Sequence, residues 1–243
     1  MARRTRRLAL PLLLTFLLLD CAAPVLQDLA AGWPAAVPPA YRPVLTTAEA
    51  HGAAAPWRDV RGLALLERLD LGFDAHHVQG LVVTAEAFFI SAVDVWRRRG
   101  WLFKVDRATR TLKARAELTE ADMIHPGGLG FDGRLLWVPN AEYDRDGPTR
   151  VQALDPASLA PVHSFVVDDH VSLVVPDGKG RLYGTSWDAR VFYVWAQDGH
   201  LVARVPSPTG VAYQDCAFVA PHLVCGGEQA SVAVIDVLDP VPA

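Results

Sequence analysis

From residue 63 onward, apolar and polar positions alternate in short runs rich in β-branched and aromatic residues, bounded by Gly, Pro or Asp. A period of two is that of half-buried strands, and helical periodicity is weak, so the pattern predicts an all-β chain. The runs also repeat. A first strand opens at His77, His125, His170 and Tyr213, in steps of 48, 45 and 43 residues. Second strands are predicted over 88–94, 136–142, 182–188 and 223–228, and third strands over 101–105, 149–154, 191–195 and 231–237. Fourth strands begin at Leu112, Leu159 and Leu201. The turns that precede them use Asp106-Arg107-Ala108-Thr109, Asp155-Pro156-Ala157-Ser158 and Gln197-Asp198-Gly199-His200, with Asp236-Val237-Leu238-Asp239 as the fourth copy.

Four strands per repeat at this spacing is the signature of a β-propeller, each repeat one four-stranded blade. The last repeat has no fourth strand downstream. Residues 65–71, just before the first histidine, read as an orphan strand that could complete that blade and close the ring. Four copies closed in this way make a four-bladed ring. A shortened member of a five-bladed or larger ring is the alternative, and a β-sandwich leaves the steady period unexplained.

The first residues lie outside this pattern. Arg3, Arg4, Arg6 and Arg7 precede an apolar stretch over 8–19, and small residues follow at Cys21, Ala22 and Ala23. That is the layout of a secretory signal peptide over 1–23, too short for a comfortable membrane span. The expected location is therefore the periplasm or the extracellular space. A lipoprotein anchor at Cys21 is the variant reading, although Asp20 stands where such signals carry Gly or Ala. The arginine pairs also admit twin-arginine export without its full consensus. Residues 24–62 are rich in Ala and Pro and read as a linker, leaving 63–243 as the propeller domain.

The formal net charge is −4, and −7 once Arg3, Arg4, Arg6, Arg7 and Asp20 are removed with the leader. A mildly acidic chain offers no basic footprint for phosphates, which argues against a nucleic-acid partner. Arg97-Arg98-Arg99 is the one basic run of the propeller region and reads as a solvated loop. Cys216 and Cys225 flank an apolar hairpin. With Ala220-Pro221 at its tip, the two face each other in a non-hydrogen-bonded pair, near enough for a disulfide in an oxidising compartment. A tip shifted by one residue leaves two buried thiols instead.

In a propeller the first strand of each blade lines the axis and the second runs back antiparallel. The start of one and the end of the other therefore emerge on the same face. His77, His125, His170, Tyr213 and Asp215 are expected around the axial mouth, with Asp94, Glu142, Asp188 and Glu228 rising beside them. His76, Gln79 and Asn140 complete the candidate face, although His76 and His77 cannot both face the axis from one strand. Imidazoles and carboxylates converging on one cavity suit a divalent cation, held by His77, His125, Glu142, His170 and Asp215. They also suit acid–base work on a small polar substrate.

The plainer reading takes Asp94 with Arg97, Glu142 with Arg145 and Asp188 with Arg190 as loop ion pairs of little weight. The histidines then merely cap the channel. Gly80, Gly127 and Gly128 suggest close backbone approach near the axis. His163, His200 and His222 fall on outer strands or turns. Trp137, Trp187 and Trp195 read as blade packing, with Trp187 beside Asp188 at the candidate face. No nucleophile elbow, His-Glu-x-x-His or Cys-x-x-Cys is present.

At His76-His77-Val78-Gln79-Gly80-Leu81, His125-Pro126-Gly127-Gly128-Leu129, Ala141-Glu142-Tyr143 and Tyr213-Gln214-Asp215-Cys216 the chain resembles an uncharacterised family of secreted bacterial proteins, propeller-like and known only as a domain of unknown function. The resemblance runs from about residue 66 to 238 and implies export and a propeller, but no activity. Members of that family continue into a further blade after the region of Cys225, which this chain lacks. More distantly, the blades resemble the gluconolactonase and strictosidine-synthase-like propellers. That resemblance implies an axial divalent metal held by acids and asparagines, for which Asn140, Glu142 and Asp215 are of the right type. Taken together, the expectation is an exported propeller that binds a small molecule or a partner protein on its axial face. The alternatives are a metal-dependent hydrolase of lactones or esters, with one divalent cation near His125, Glu142, His170 and Asp215, and a structural cell-envelope interaction module.

Overall fold

The computed structural model describes residues 55–57, 69–207, 209–230 and 232–240. The leader over 1–23 and all of the 24–62 linker except Ala55–Trp57 lie outside the described residues. The described residues fold into four antiparallel sheets arranged as a four-bladed β-propeller. Blade I is β2 (His77–Val83), β3 (Ala87–Asp94), β4 (Arg99–Asp106) and β5 (Leu112–Glu117). In blade II a split inner strand, β6 (Met123–Pro126) and β7 (Gly130–Phe131), pairs with β8 (Leu136–Glu142), followed by β9 (Thr149–Leu154) and β10 (Pro161–Val167). Blade III is β11 (Val171–Pro176), β12 (Arg181–Ser186), β13 (Val191–Ala196) and β14 (Leu201–Pro206). Blade IV is β15 (Ala212–Val219), β16 (His222–Gln229), β17 (Val232–Leu238) and β1 (Ala55–Trp57).

Blade IV is thus completed from the N-terminal side, as the missing fourth strand requires, but by a different segment. Ala55 pairs with Val237, Pro56 with Asp236 and Trp57 with Ile235. A proline is tolerated there because an edge strand has no outer partner for the N–H that proline lacks. Of the orphan run 65–71, residues 65–68 lie outside the described residues, and residues 69–71 form no strand. Leu71 instead packs with Phe73 on the cluster of Ile90, Phe103 and Val105 in blade I. An apolar residue such as Leu71 fits a strand pattern because packing against a blade demands the same kind of side chain as burial in a sheet.

Neighbouring blades meet through apolar seams. Phe89 and Leu102 of blade I pack on Leu129, Leu136 and Leu154 of blade II. Trp137 and Val151 of blade II pack on Val171, Leu182 and Trp195 of blade III. Phe192 and Val194 of blade III pack on Tyr213, Leu223 and Val234 of blade IV. The lower turns between third and fourth strands are built as their sequences predict. Asp106 Oδ1 accepts from the Thr109 N–H and hydroxyl, and Asp155 Oδ1 does the same for Ser158. In the second of these, Leu159 takes a left-handed conformation (φ 61°) and is buried, so the fourth strand of blade II starts at Pro161. Cys216 lies opposite Cys225 with Cα atoms 4.1 Å apart, and the two form a disulfide across the β15–β16 hairpin. No helix among the described residues is long and apolar enough to cross a membrane.

Candidate functional site

Every inner strand slips by one residue near its upper end: between Val78 and Gly80, Met123 and His125, Val171 and Leu173, and Tyr213 and Asp215. An inserted residue resets the alternation of faces, so residues two apart no longer point the same way. Tyr213 and Asp215 show the consequence. Asp215 turns to the axis, where its Oδ2 accepts the Leu81 N–H of blade I at 3.0 Å. Its Oδ1 accepts the Cys216 N–H at 2.9 Å, and a Cβ on Gly128 of blade II would sit 2.6 Å from that oxygen. Tyr213 turns into the seam between blades III and IV, its hydroxyl donating to Asp236 and lying 3.0 Å from the Thr209 hydroxyl. The expectation that Tyr213 lines the mouth is therefore corrected. Burial raises its phenol pKa far above the usual range, as suits a core tyrosine.

The axis itself is filled by backbone. Gly128 N donates to Ser172 O at 2.8 Å, and Val174 N donates to Gly128 O at 3.0 Å, a parallel bridge between blades II and III. A Cβ on Gly127 would lie 2.0 Å from Ser172 O, and one on Gly80 would lie 2.7 Å from Gly128 Cα. The glycines are where close approach requires them, and Gln79 is buried beside them. Asp215 sits in this plug rather than in a solvated mouth. Burial, which outweighs its two N–H donors, pushes its carboxyl up to about 8.

Above the plug, the junction of blades II and III gathers four rings. His125 lies 5.2 Å from His170, 4.9 Å from Tyr143 and 6.0 Å from Trp187, nearly parallel to the last. Trp187 meets His170 edge-on at 4.4 Å and Tyr143 at 5.6 Å. His125 lies on β6 and three loops deliver the others: Tyr143 leads out of β8, His170 precedes β11, and Trp187 opens a single 3-10 turn (Trp187–Ala189) after β12. That turn ends the second strand of blade III at Ser186 and puts Asp188 in a left-handed conformation (φ 57°) rather than at a strand end.

His170 is buried, with its Nδ1 2.8 Å from the Asp144 carbonyl oxygen, which fixes the proton on Nδ1 as the donor. Burial lowers its pKa, while the Asp144 and Glu142 carbonyls oppose the shift. His125 differs: its Nδ1 is buried and has no hydrogen-bond partner among the described residues. Burial first, then the charges of His170 and His77, lower its pKa to about 3, so it is neutral in ordinary conditions. His77 is exposed at the same end of the ring, near enough for its charge to act on His125.

The other expected residues disperse. His76 adopts φ 57°, donates its N–H to Asp74 Oδ1 and lies 6.2 Å from Phe103, away from the axis. Asn140 is buried, and its Nδ2 donates to Leu118 O at 2.6 Å and to Met123 O at 2.9 Å, tying blade II to the strand connection before it. Asp94 pairs with Arg97 at 2.9 Å, and hydrogen bonds from Arg97 hold its carboxyl below the usual range. The remaining arginine pairs cross between blades instead of closing locally. Arg145 of blade II binds Asp188 of blade III at 2.9 Å, and Arg190 of blade III binds Asp146 of blade II at 3.2 Å. Glu142 is half-buried and Glu228 exposed. Among the described residues no three of His, Cys, Asp or Glu are placed to hold a metal ion. The set His77, His125, Glu142, His170 and Asp215 thus resolves into the pair His125 and His170, an exposed His77 whose charge reaches His125, Glu142 at the end of β8, and one carboxylate sunk in the axis. Of the outer groups, His163 and His200 are exposed and His222 pairs with Asp239 at 3.2 Å, while Trp137 and Trp195 are core.

Tyr143 and Trp187 are the members of the site that the repeat did not single out together. The available signal was positional, since each stands one residue from a repeat acid, Glu142 or Asp188. Trp96, two residues past Asp94, is almost wholly exposed on the same face.

A family of unknown function, DUF6454, matches residues 57–233. The chain belongs to this family. No curated protein matches this DUF6454 member. Among solved structures it is similar to BamB from Moraxella catarrhalis, with 14% identity and a TM-score of 0.43, covering 65% of this chain and 42% of that one. It is also similar to the hydrazine synthase of Kuenenia stuttgartiensis, at 17% identity and a TM-score of 0.49, covering 69% and 47%. A third likeness is to the Cps50 (Swd1) β-propeller domain of Myceliophteria thermophila, at 19% identity and a TM-score of 0.45, covering 69% and 55%. The chain thus spans about half the length of these structures, and the propeller assignment rests on the strand pairing described above.

Proposed function

We propose that this DUF6454 protein is an exported propeller that binds a small organic molecule on its upper face, at the junction of blades II and III. The observation that carries the reading is the His125 ring. Its buried Nδ1 finds no partner among the described residues, and the ring stands beside those of His170, Tyr143 and Trp187. A buried polar atom left unpaired costs free energy that a purely structural packing would avoid by using an apolar ring. Tyr143 and Trp187 offer flat apolar surface with polar tips, the usual means of holding a small ligand.

Binding without catalysis suits the electrostatics. General acid–base work near neutral pH needs a group that titrates there; at the junction burial lowers His125 to about 3 and shifts His170 the same way, and Asp215, raised to about 8, lies in the axial plug instead. Export is supported by the leader-like segment over 1–23 and by the Cys216–Cys225 disulfide, which persists in oxidising compartments.

A thermal-shift screen of anionic, neutral and cationic metabolites tests the proposal, because a ligand that binds the folded state raises Tm. At least one class is expected to raise Tm in the wild type and to lose the effect in Trp187→Ala and His125→Phe. Shifts that survive both substitutions would place binding elsewhere and overturn the reading.

A further inference from the structure

The four-ring site sits in a strongly acidic rim. The loops that build it, over 142–148, 168–170 and 186–190, carry Glu142, Asp144, Asp146, Asp168, Asp169 and Asp188 against only two cations, Arg145 and Arg190. Both arginines are already committed, Arg145 to Asp188 and Arg190 to Asp146, with Asp169 at 4.0 Å from the latter. Among the described residues neither Glu142 nor Asp168 is in an ion pair. An anionic ligand would meet this rim at a cost, whereas a cation would be drawn to it.

The rings point the same way. Tyr143, 54% exposed, and Trp187 are tilted 55° to each other with centroids 5.6 Å apart. A charge within about 6 Å of an aromatic centroid is attracted by the ring's quadrupole, and centroids 5.6 Å apart let a single cation lie within that range of both rings. Burial shifts the two imidazoles beneath, His125 and His170, toward their neutral forms. A bare divalent ion is a poorer match, since among the described residues no three ligating side chains come together. A bulky, weakly hydrated cation needs aromatic faces and a diffuse negative rim rather than converging ligand atoms.

We infer that the ligand of this site carries an organic cation, an alkylated ammonium group lodged over Tyr143 and Trp187 within the acidic rim. The inference rests on the small-molecule reading above and adds the charge class of the ligand.

The probe pair is choline and its neutral isostere 3,3-dimethylbutan-1-ol, titrated calorimetrically into the full chain at constant ionic strength. Choline is expected to bind at least about tenfold more tightly than the isostere. Tyr143→Ala and Trp187→Ala should each weaken choline about tenfold or more with the far-ultraviolet circular dichroism unchanged, and Tyr143→Phe should retain it. Glu142→Gln should weaken it several-fold, and more so at low salt. Equal affinity for the two probes overturns the cation and leaves the site standing. Failure of choline to bind overturns the cation as well. If small neutral probes still occupy the junction in soaked crystals, only this inference falls; if they do not, the small-molecule reading falls with it.

Discussion

A histidine that the fold keeps neutral becomes a liability in acid. The unfolded chain takes up a proton near the ordinary imidazole pKa of about 6.5, while His125 resists protonation down to about 3. Stability is therefore fully present above about pH 6.5 and is lost as pH falls toward 3. His125→Phe keeps the ring and removes the titration. Urea unfolding between pH 4 and pH 7 should show a flatter acid limb for this variant than for the wild type; parallel limbs would mean that His125 is solvated and not buried. Asp215 has the opposite sign. Its carboxyl is raised to about 8 against an ordinary value of about 3.9, so its contribution is fully present below pH 4 and is lost as pH rises through 8. Asp215→Asn should remove this slope, which runs between about pH 4 and 8, and still cost about 1–2 kcal/mol, because an amide N–H must then face a backbone donor from Leu81 or Cys216. An unchanged slope between about pH 4 and 8 would contradict the placement.

At the scale of strands, the four-fold period and most strand positions were legible because backbone pairing imposes a spacing that alternating side chains must follow. Predicted and observed strands coincide over 136–142 and 149–154, and the fourth strands of blades I and III start at Leu112 and Leu201 as expected. The slips in the inner strands were not legible. The extra residues are Gln79, Ile124, Ser172 and Gln214, which share no chemistry that would mark them. That is why Tyr213 was expected at the mouth and lies in a seam. The ring cluster was half legible: the histidines came from the repeat, but Trp187 and Tyr143 meet them only because loops of two blades converge. The axial glycines were legible in kind, and their demand is testable. Gly127→Ala would drive a Cβ into the Ser172 carbonyl and should destabilise by about 3 kcal/mol or more, measured by chemical denaturation. Gly178→Ala, at a turn with φ +69° and open space around it, should cost only about 1 kcal/mol. Equal costs would contradict the backbone plug.

Blade IV is completed across the ring's chain closure by β1 on β17, with a disulfide stapling the β15–β16 hairpin beside them. A loop closed over a sequence separation of 9 restricts the unfolded chain by about 2–3 kcal/mol. The double variant Cys216→Ser/Cys225→Ser should lower Tm accordingly and leave the binding junction intact, since that junction lies between blades II and III. The most direct test of the account is a crystal structure soaked in mixed small organic probes. The account predicts that probe density clusters over Tyr143 and Trp187, in contact with His125, and disappears in Trp187→Ala crystals. Density gathered at another face, with the ring cluster bare in the wild type, would contradict it.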